Sequence, residues 1–337
     1  MQVFRRGLIF SLLLTASYIN GAAQQVRQGT SISNGPALAS KLPASETVAF
    51  VKVRRLLDEV LPAVLSSNPA KLSEVNARVE NFKRRTGIDP RAFDEVALGL
   101  GYEYPSPQMM KVSTVALARG TFNSTALIAA GKAAAAGKYR EEKYQGKTIY
   151  VFTLEEQLRV FGVLNLKIRE LAVAPLSANV LALGDAKRVR SVIDANRAPQ
   201  RNNVDLISLA SQNPNAIVGF GGNVSPTMLA HLRIGNDAVA RDLSAVRQIY
   251  GSVGMTEKNL EVLAAARTAD PGAARSLGVT VEGLTAFAGL FTNRLPAARA
   301  ALAKSALGNL KVTVQGNDLQ LRTAVSQADL GPVIGSL

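Results

Sequence analysis

The chain has one imidazole, His231, in the string Met228-Leu229-Ala230-His231-Leu232, with Ser225 six residues before it and Asp237 six residues after. Ser, His and Asp are the residue types of a nucleophilic triad. A working triad brings them together at one point with the imidazole bridging hydroxyl and carboxylate, and local helical spacing does not do that. Ser225 ahead of Pro226 is better read as a helix N-cap, and Asp237 as the cap of the next helix. A single His excludes a multi-histidine metal site within one chain. The absence of Cys excludes disulfides, thiolate metal sites, a cysteine nucleophile and the acylated Cys of a lipoprotein.

Carboxylates occur in adjacent pairs at Asp58-Glu59, Asp94-Glu95, Glu141-Glu142 and Glu155-Glu156. General acid–base chemistry needs two carboxylates converging on one cleft with separated pKa values. Neighbours in sequence diverge instead, by about 100° on a helix and to opposite faces on a strand. No Asp/Asn loop has calcium-site spacing. No metal or cofactor site is therefore expected, and a hydrolase built from dispersed carboxylates is kept as an alternative.

Two glycine strings suggest phosphate binding. Gly146-Lys147-Thr148 ends like a P-loop, but the earlier required glycine is Glu141 and the string turns between two predicted strands. Gly219-Phe220-Gly221-Gly222-Asn223-Val224 begins like a dinucleotide fingerprint, but Val224 stands where the third glycine belongs. Close backbone packing accounts for such a string equally well. Two Ala-rich helices, 126–136 and 295–307, could leave a groove for an apolar ligand, with Met109-Met110 and Leu290-Phe291 near it.

Basic residues form the other candidate site. Of 337 residues, 39 are Lys or Arg and 25 are Asp or Glu, for a formal charge of +14. Residues 24–203 carry +10 and residues 204–337 only +2. Clusters lie at Lys52-Arg54-Arg55, at Lys83, Arg84 and Arg85, and at Lys187, Arg188 and Arg190. A one-sided positive field attracts anionic partners. Nucleic acid is disfavoured, because the clusters lack interleaved aromatics for base stacking.

The elements that position these residues follow from periodicity. Residues 47–53 are short, apolar and β-branched and read as a strand, and Leu56, Leu57, Val60, Leu61, Val64 and Leu65 share a helical face interrupted by Pro62. A second helix carries Leu72, Val75, Val79 and Phe82, and Thr86-Gly87-Ile88-Asp89-Pro90 punctuates its end. Strands are predicted at 95–101 and 112–120, a helix at 124–136, hairpin strands at 139–144 and 147–153, a strand pair at 171–174 and 180–184, and a helix from Asp185 presenting Val189, Val192 and Ile193. Residues 196–203 read as a linker. The order then recurs, with strands at 216–220, 248–255 and 260–267, an Ala-rich helix carrying Ala274, Leu277, Leu284, Phe287 and Phe291, and a closing hairpin at 311–314 and 319–325. Short turns between strands demand antiparallel pairing. The expected fold class is α+β: two similar units of mainly antiparallel sheet covered by helices, 44–196 (basic) and 204–330, with a possible internal duplication.

The N-terminus reads as a secretory signal over residues 1–23, with Arg5 and Arg6, an apolar run, and the small residues Gly21-Ala22-Ala23 before cleavage. A polar, flexible leader is expected over 24–43, and no transmembrane span in the mature chain. The string Phe50-Val51-Lys52-Val53-Arg54-Arg55-Leu56-Leu57-Asp58-Glu59-Val60-Leu61-Pro62, together with Thr86-Gly87-Ile88-Asp89-Pro90 and Phe93-Asp94-Glu95-Val96-Ala97-Leu98-Gly99, resembles an uncharacterised family of secreted bacterial proteins, a domain of unknown function. That resemblance implies export and supplies no catalytic residues. The expectation is a non-enzymatic exported envelope protein, periplasmic or extracellular and not a lipoprotein. It would bind an anionic envelope component or an acidic protein through Lys83, Arg84, Arg85, Lys187, Arg188 and Arg190. A carrier of a lipid-like apolar ligand is the alternative.

Overall fold

The computed structural model describes residues 37–106, 109–160, 164–197, 202–230, 237–327 and 330. Strand β1 (Thr47–Val51) leads into a helical run, α1, made of Val53–Arg55, a π-helical turn at Leu56–Val60, and Leu61–Val64. The widened turn lies just ahead of Pro62. Proline has no N–H and its ring presses on the carbonyl four residues back, so the spiral opens there instead of breaking. Helix α2 (Pro69–Thr86) starts at Asn68, whose side chain accepts from the Lys71 N–H at 3.1 Å, and ends at Gly87 in the left-handed region.

The remaining elements of the first half are β2 (Phe93–Ser106), β3 (Met109–Gly120), α3 (Ser124–Ala135), β4 (Tyr139–Tyr144), β5 (Lys147–Val160), β6 (Leu164–Ser177), β7 (Val180–Gly184) and α4 (Ala186–Arg197). The second half runs α5 (Val204–Ala210), β8 (Ala216–Asn223), α6 (Pro226–Ala230), α7 (Asp237–Ser244), β9 (Val246–Met255), β10 (Asn259–Thr268), α8 (Pro271–Phe291), α9 (Ala297–Gly308), β11 (Lys311–Gln315) and β12 (Asp318–Ser326). The result is a mixed α+β fold whose strand pairings are all antiparallel.

The two expected sheets are joined edge to edge. Among the described residues the strands form one 12-stranded sheet in the order β11-β12-β10-β9-β8-β1-β2-β3-β7-β6-β5-β4. The joint is β1 against β8, from Thr47 opposite Gly222 to Val51 opposite Val218. Outward from that joint, β1-β2-β3-β7-β6 and β8-β9-β10-β12-β11 follow the same pattern, and β5-β4 extend the first side.

Alternation along the strands gives each face its own core. On one face Ala97, Val115 and Leu117 pack with Val189, Val192 and Ile193 of α4 and Leu206 of α5. On the other, Val96, Ala116 and Ala118 pack with Leu56, Leu57, Val60 and Val64 of α1, and Leu72 and Val75 of α2 lie against them. In the second half that latter face is covered by α8, whose Leu277 packs with Leu319, Val246 and Val224. The Gly219-Phe220-Gly221-Gly222 string lies beneath α5. A Cβ on Gly219 would sit 2.2 Å from the Ala210 carbonyl oxygen, and one on Gly221 2.4 Å from that of Leu206. These glycines let helix backbone touch sheet backbone, which explains the fingerprint-like string without a ligand.

Several boundaries differ from expectation. The leader is not loose to its end: Leu38, Ala39 and Leu42 are buried in the first core. The close of the linker is tied down as well, because the Asn203 side chain accepts from Ser45 N–H at 2.9 Å and donates to the Pro43 carbonyl at 3.0 Å. Strands β2, β3, β5 and β6 run past their predicted ends because their hairpins continue beyond the sheet body; β3 meets β7 only over Val115 to Arg119. The α5 helix after the linker has too short an apolar pattern to stand out from sequence.

Candidate functional site

The structure does not bring the six predicted basic residues together. Lys83 and Arg84 end α2 on one face of the sheet, while Lys187, Arg188 and Arg190 lie on α4 over the opposite face. Most are also engaged within the chain. Lys83 Nζ is 2.8 Å from Asp89 Oδ2, a hydrogen bond that raises its pKa. Lys187 Nζ is 3.4 Å from Glu103 Oε1. Arg190 grips Glu142 with both arms, at 2.7 and 2.6 Å. Arg188 is a structural tie: it donates to the Ala44 carbonyl at 2.8 Å and Ser45 Oγ at 2.6 Å, and burial lowers its pKa. Arg84 is exposed, and the side chain of Arg85 lies outside the described residues. A charge sum along the sequence adds residues that the sheet separates: Lys83 and Arg84 lie over one face, and Lys187, Arg188 and Arg190 over the other.

The carboxylates face cations instead of each other. Asp94 pairs with Arg54 at 2.5 Å, Glu95 with Arg119 at 2.8 Å, Glu141 with Lys132 at 2.5 Å and Glu59 with Arg55 at 3.2 Å. Glu95 is buried, and desolvation raises its pKa against the opposing pull of Arg119 and Lys52. Ser225 caps its helix, accepting from Met228 N–H at 3.0 Å. His231 and the side chains of Glu155 and Glu156 lie outside the described residues. Among the described residues no group of three or more His, Asp or Glu is placed to hold a metal ion, and no helix is long and apolar enough to cross a membrane.

A different surface combines shape, apolarity and charge. Helices α8 and α9 lie over the β11–β12 edge of the sheet and leave between them a groove of about 390 Å³, lined by Glu282, Thr285, Ala286, Leu307, Leu310 and Val312. Asp270 caps α8 by accepting from Ala273 N–H at 2.9 Å, and Pro271 follows at the first helical position. Gly278 lets α8 down onto β11, since a Cβ there would meet Val314 Cγ2 at 2.9 Å. Helix α9 is held by the sheet: Thr323 Oγ1 donates to the Ala306 carbonyl at 2.7 Å and Asn309 Nδ2 to the Ala324 carbonyl at 3.0 Å. Small side chains such as Ala286 then leave the gap unfilled.

On α8, after it and on β11 the protein exposes large apolar side chains: Val279 at 71%, Leu284 at 53%, Phe287 at 63%, Leu295 at 43% and Val314 at 39%. From residue 283 to residue 317 the only charged residues are Arg294, Arg299, Lys304 and Lys311. Arg299, Lys304 and Lys311 find no acidic partner among the described residues. Of the apolar residues that α8 carries, Ala274 and Leu277 are buried, whereas Leu284 and Phe287 on its distal half are exposed. The side chains of Leu290 and Phe291 lie outside the described residues.

No protein-family model matches the chain. No curated protein matches it. Among solved structures it is similar to crystal form I of TP0453, at 10% identity and a TM-score of 0.42, covering 90% of this chain and 98% of that one. It is also similar to crystal form IV of TP0453, at 9% identity and a TM-score of 0.44, covering 90% and 97%.

Proposed function

We propose that the protein is an exported, non-enzymatic envelope module that docks on anionic lipid through the α8–α9 surface. The observation that carries this reading is the coincidence of exposed Leu284, Phe287 and Leu295 with a stretch, residues 283–310, whose only charges are Arg294, Arg299 and Lys304. Apolar side chains enter the interfacial region of a bilayer while cations at the same level meet acidic headgroups. Each such cation contributes about 1 kcal/mol near an acidic surface. The groove beside α9 gives an acyl chain or headgroup a recess. The signal-like N-terminus supports export, and the repeated strand pattern on either side of β1 and β8 supports two copies of one unit, 44–196 and 204–330. The partner is anionic, and it is met by the second half of the chain instead of by Lys83, Arg84, Arg85, Lys187, Arg188 and Arg190.

Co-sedimentation with phosphatidylglycerol vesicles and with phosphatidylcholine vesicles tests it. Binding to the anionic vesicles is expected to weaken with salt, and Phe287→Asp is expected to reduce it at least about tenfold, the effect of losing roughly 1.4 kcal/mol. Equal binding to both lipids, or no loss in Phe287→Asp, overturns the membrane reading. A lipid co-purifying at one per chain would replace it with the carrier alternative.

A further inference from the structure

The two edges of the sheet are built differently, and the difference points to a partner. At one edge, β4 carries Arg140, Glu141, Glu142 and Lys143 in succession. The first three are tied to Glu170, Lys132 and Arg190, and Lys143 Nζ donates to Thr148 Oγ1 at 2.6 Å. Charges along an outer strand are the usual guard against edge pairing. At the other edge, β11 reads Lys311-Val312-Thr313-Val314-Gln315, with one charge, β-branched residues between, and no proline or bulge.

The register of β11 fixes which of its backbone groups are free. The Gly316-Asn317 turn closes the hairpin between Gln315 and Asp318, so these form the hydrogen-bonded pair beside the turn. Bonded pairs then alternate to Thr313 with Gln320 and Lys311 with Arg322. The N–H and C=O groups of Val312 and Val314 therefore point away from β12. Their side chains share the helix-covered face, opposite Leu321 and Leu319.

The geometry points to a second copy of this chain as the occupant of this edge, in an antiparallel β11–β11 pair about a two-fold axis at Thr313. That register sets Val312 against the partner's Val314 and pairs every outward backbone group of both residues. It sets Lys311 against the partner's Gln315, so like charges never oppose each other. The axis runs perpendicular to the sheet, so α8 and α9 of both copies stay on one side of the joined sheet. A heterologous β4–β11 contact would instead bring a charged edge against an apolar one and leave open ends. The inference needs only the strand edge and does not rest on lipid binding.

The absence of cysteine makes the test direct. At a non-hydrogen-bonded antiparallel pair the Cα atoms stand about 4.5 Å apart, within the roughly 4.4–6.8 Å that a disulfide spans. Thr313→Cys is expected to give an intermolecular disulfide under mild oxidation, Lys311→Cys almost none, and the Lys311→Cys/Gln315→Cys double variant to restore it. In sedimentation velocity the unmodified exported chain should run as a dimer. Val314→Pro, which deletes an outward donor from an edge strand, should run as a monomer with unchanged circular dichroism. A monomer at all concentrations, a dimer that survives Val314→Pro, or equal crosslinking of Thr313→Cys and Lys311→Cys overturns the proposal.

Discussion

At the scale of single residues, burial works against the charge of Glu95. Desolvation pushes its carboxyl up, Arg119 and Lys52 pull it down, and Oε1 has no hydrogen-bond partner. A carboxyl whose folded pKa lies above its unfolded value binds more protons when folded. Its contribution to stability is full below the ordinary carboxylate range and is lost as pH rises through the folded value. Glu95→Gln should therefore gain on the parent protein as pH climbs from acid to neutral, measured by urea denaturation across that range. A difference independent of pH would show that Glu95 keeps its ordinary protonation. The sequence flagged Asp94-Glu95 as a carboxylate pair and rightly separated the two. It could not report that one of them is buried, because burial depends on what the distant Leu38 segment and α1 cover.

At the scale of elements, glycines and caps were the most legible features. Gly87 and the Gln145-Gly146 turn act as read, with φ of 72° at Gly87 and 48° and 75° across the turn. Asp270 and Gly219 separate two kinds of element-level cost. Asp270→Ala removes the α8 cap and should lower stability by about 1 kcal/mol. Gly219→Ala forces a methyl against the Ala210 carbonyl and should cost roughly 1–3 kcal/mol. Thermal denaturation of both variants checks the order. If Gly219→Ala is neutral, α5 is not fixed on β8 as described. Element ends were less legible. Strand β5 outruns its predicted stop at Thr153 because its partner β6 extends with it, and pairing partners are not local information.

At the scale of the whole molecule, the joint between β1 and β8 decides cooperativity. Phe50 packs with Ala210 and Ala216 across it, and Gly222 approaches Thr47 so closely that a Cβ would stand 2.6 Å from its Oγ1. A sheet without a break should unfold as one unit. Calorimetry is expected to show one transition, and Gly221→Val should lower the melting of both halves together. Two resolved transitions, with only the second displaced by that variant, would show two independent domains.

Composition and spacing alone determined the antiparallel α+β character, the helix punctuation and the absence of thiol chemistry, because turns, caps and alternation are local and residue types are simply counted. Charge position was a tertiary matter. Lys83 and Lys187 belong to one basic half by sequence, yet a sheet lies between their helices. Lys311 follows Arg299 and Lys304 closely in sequence, yet the pairing of β11 turns its side chain to the face opposite α8 and α9. Electrostatic fields act through space, so only the folded arrangement decides which charges add.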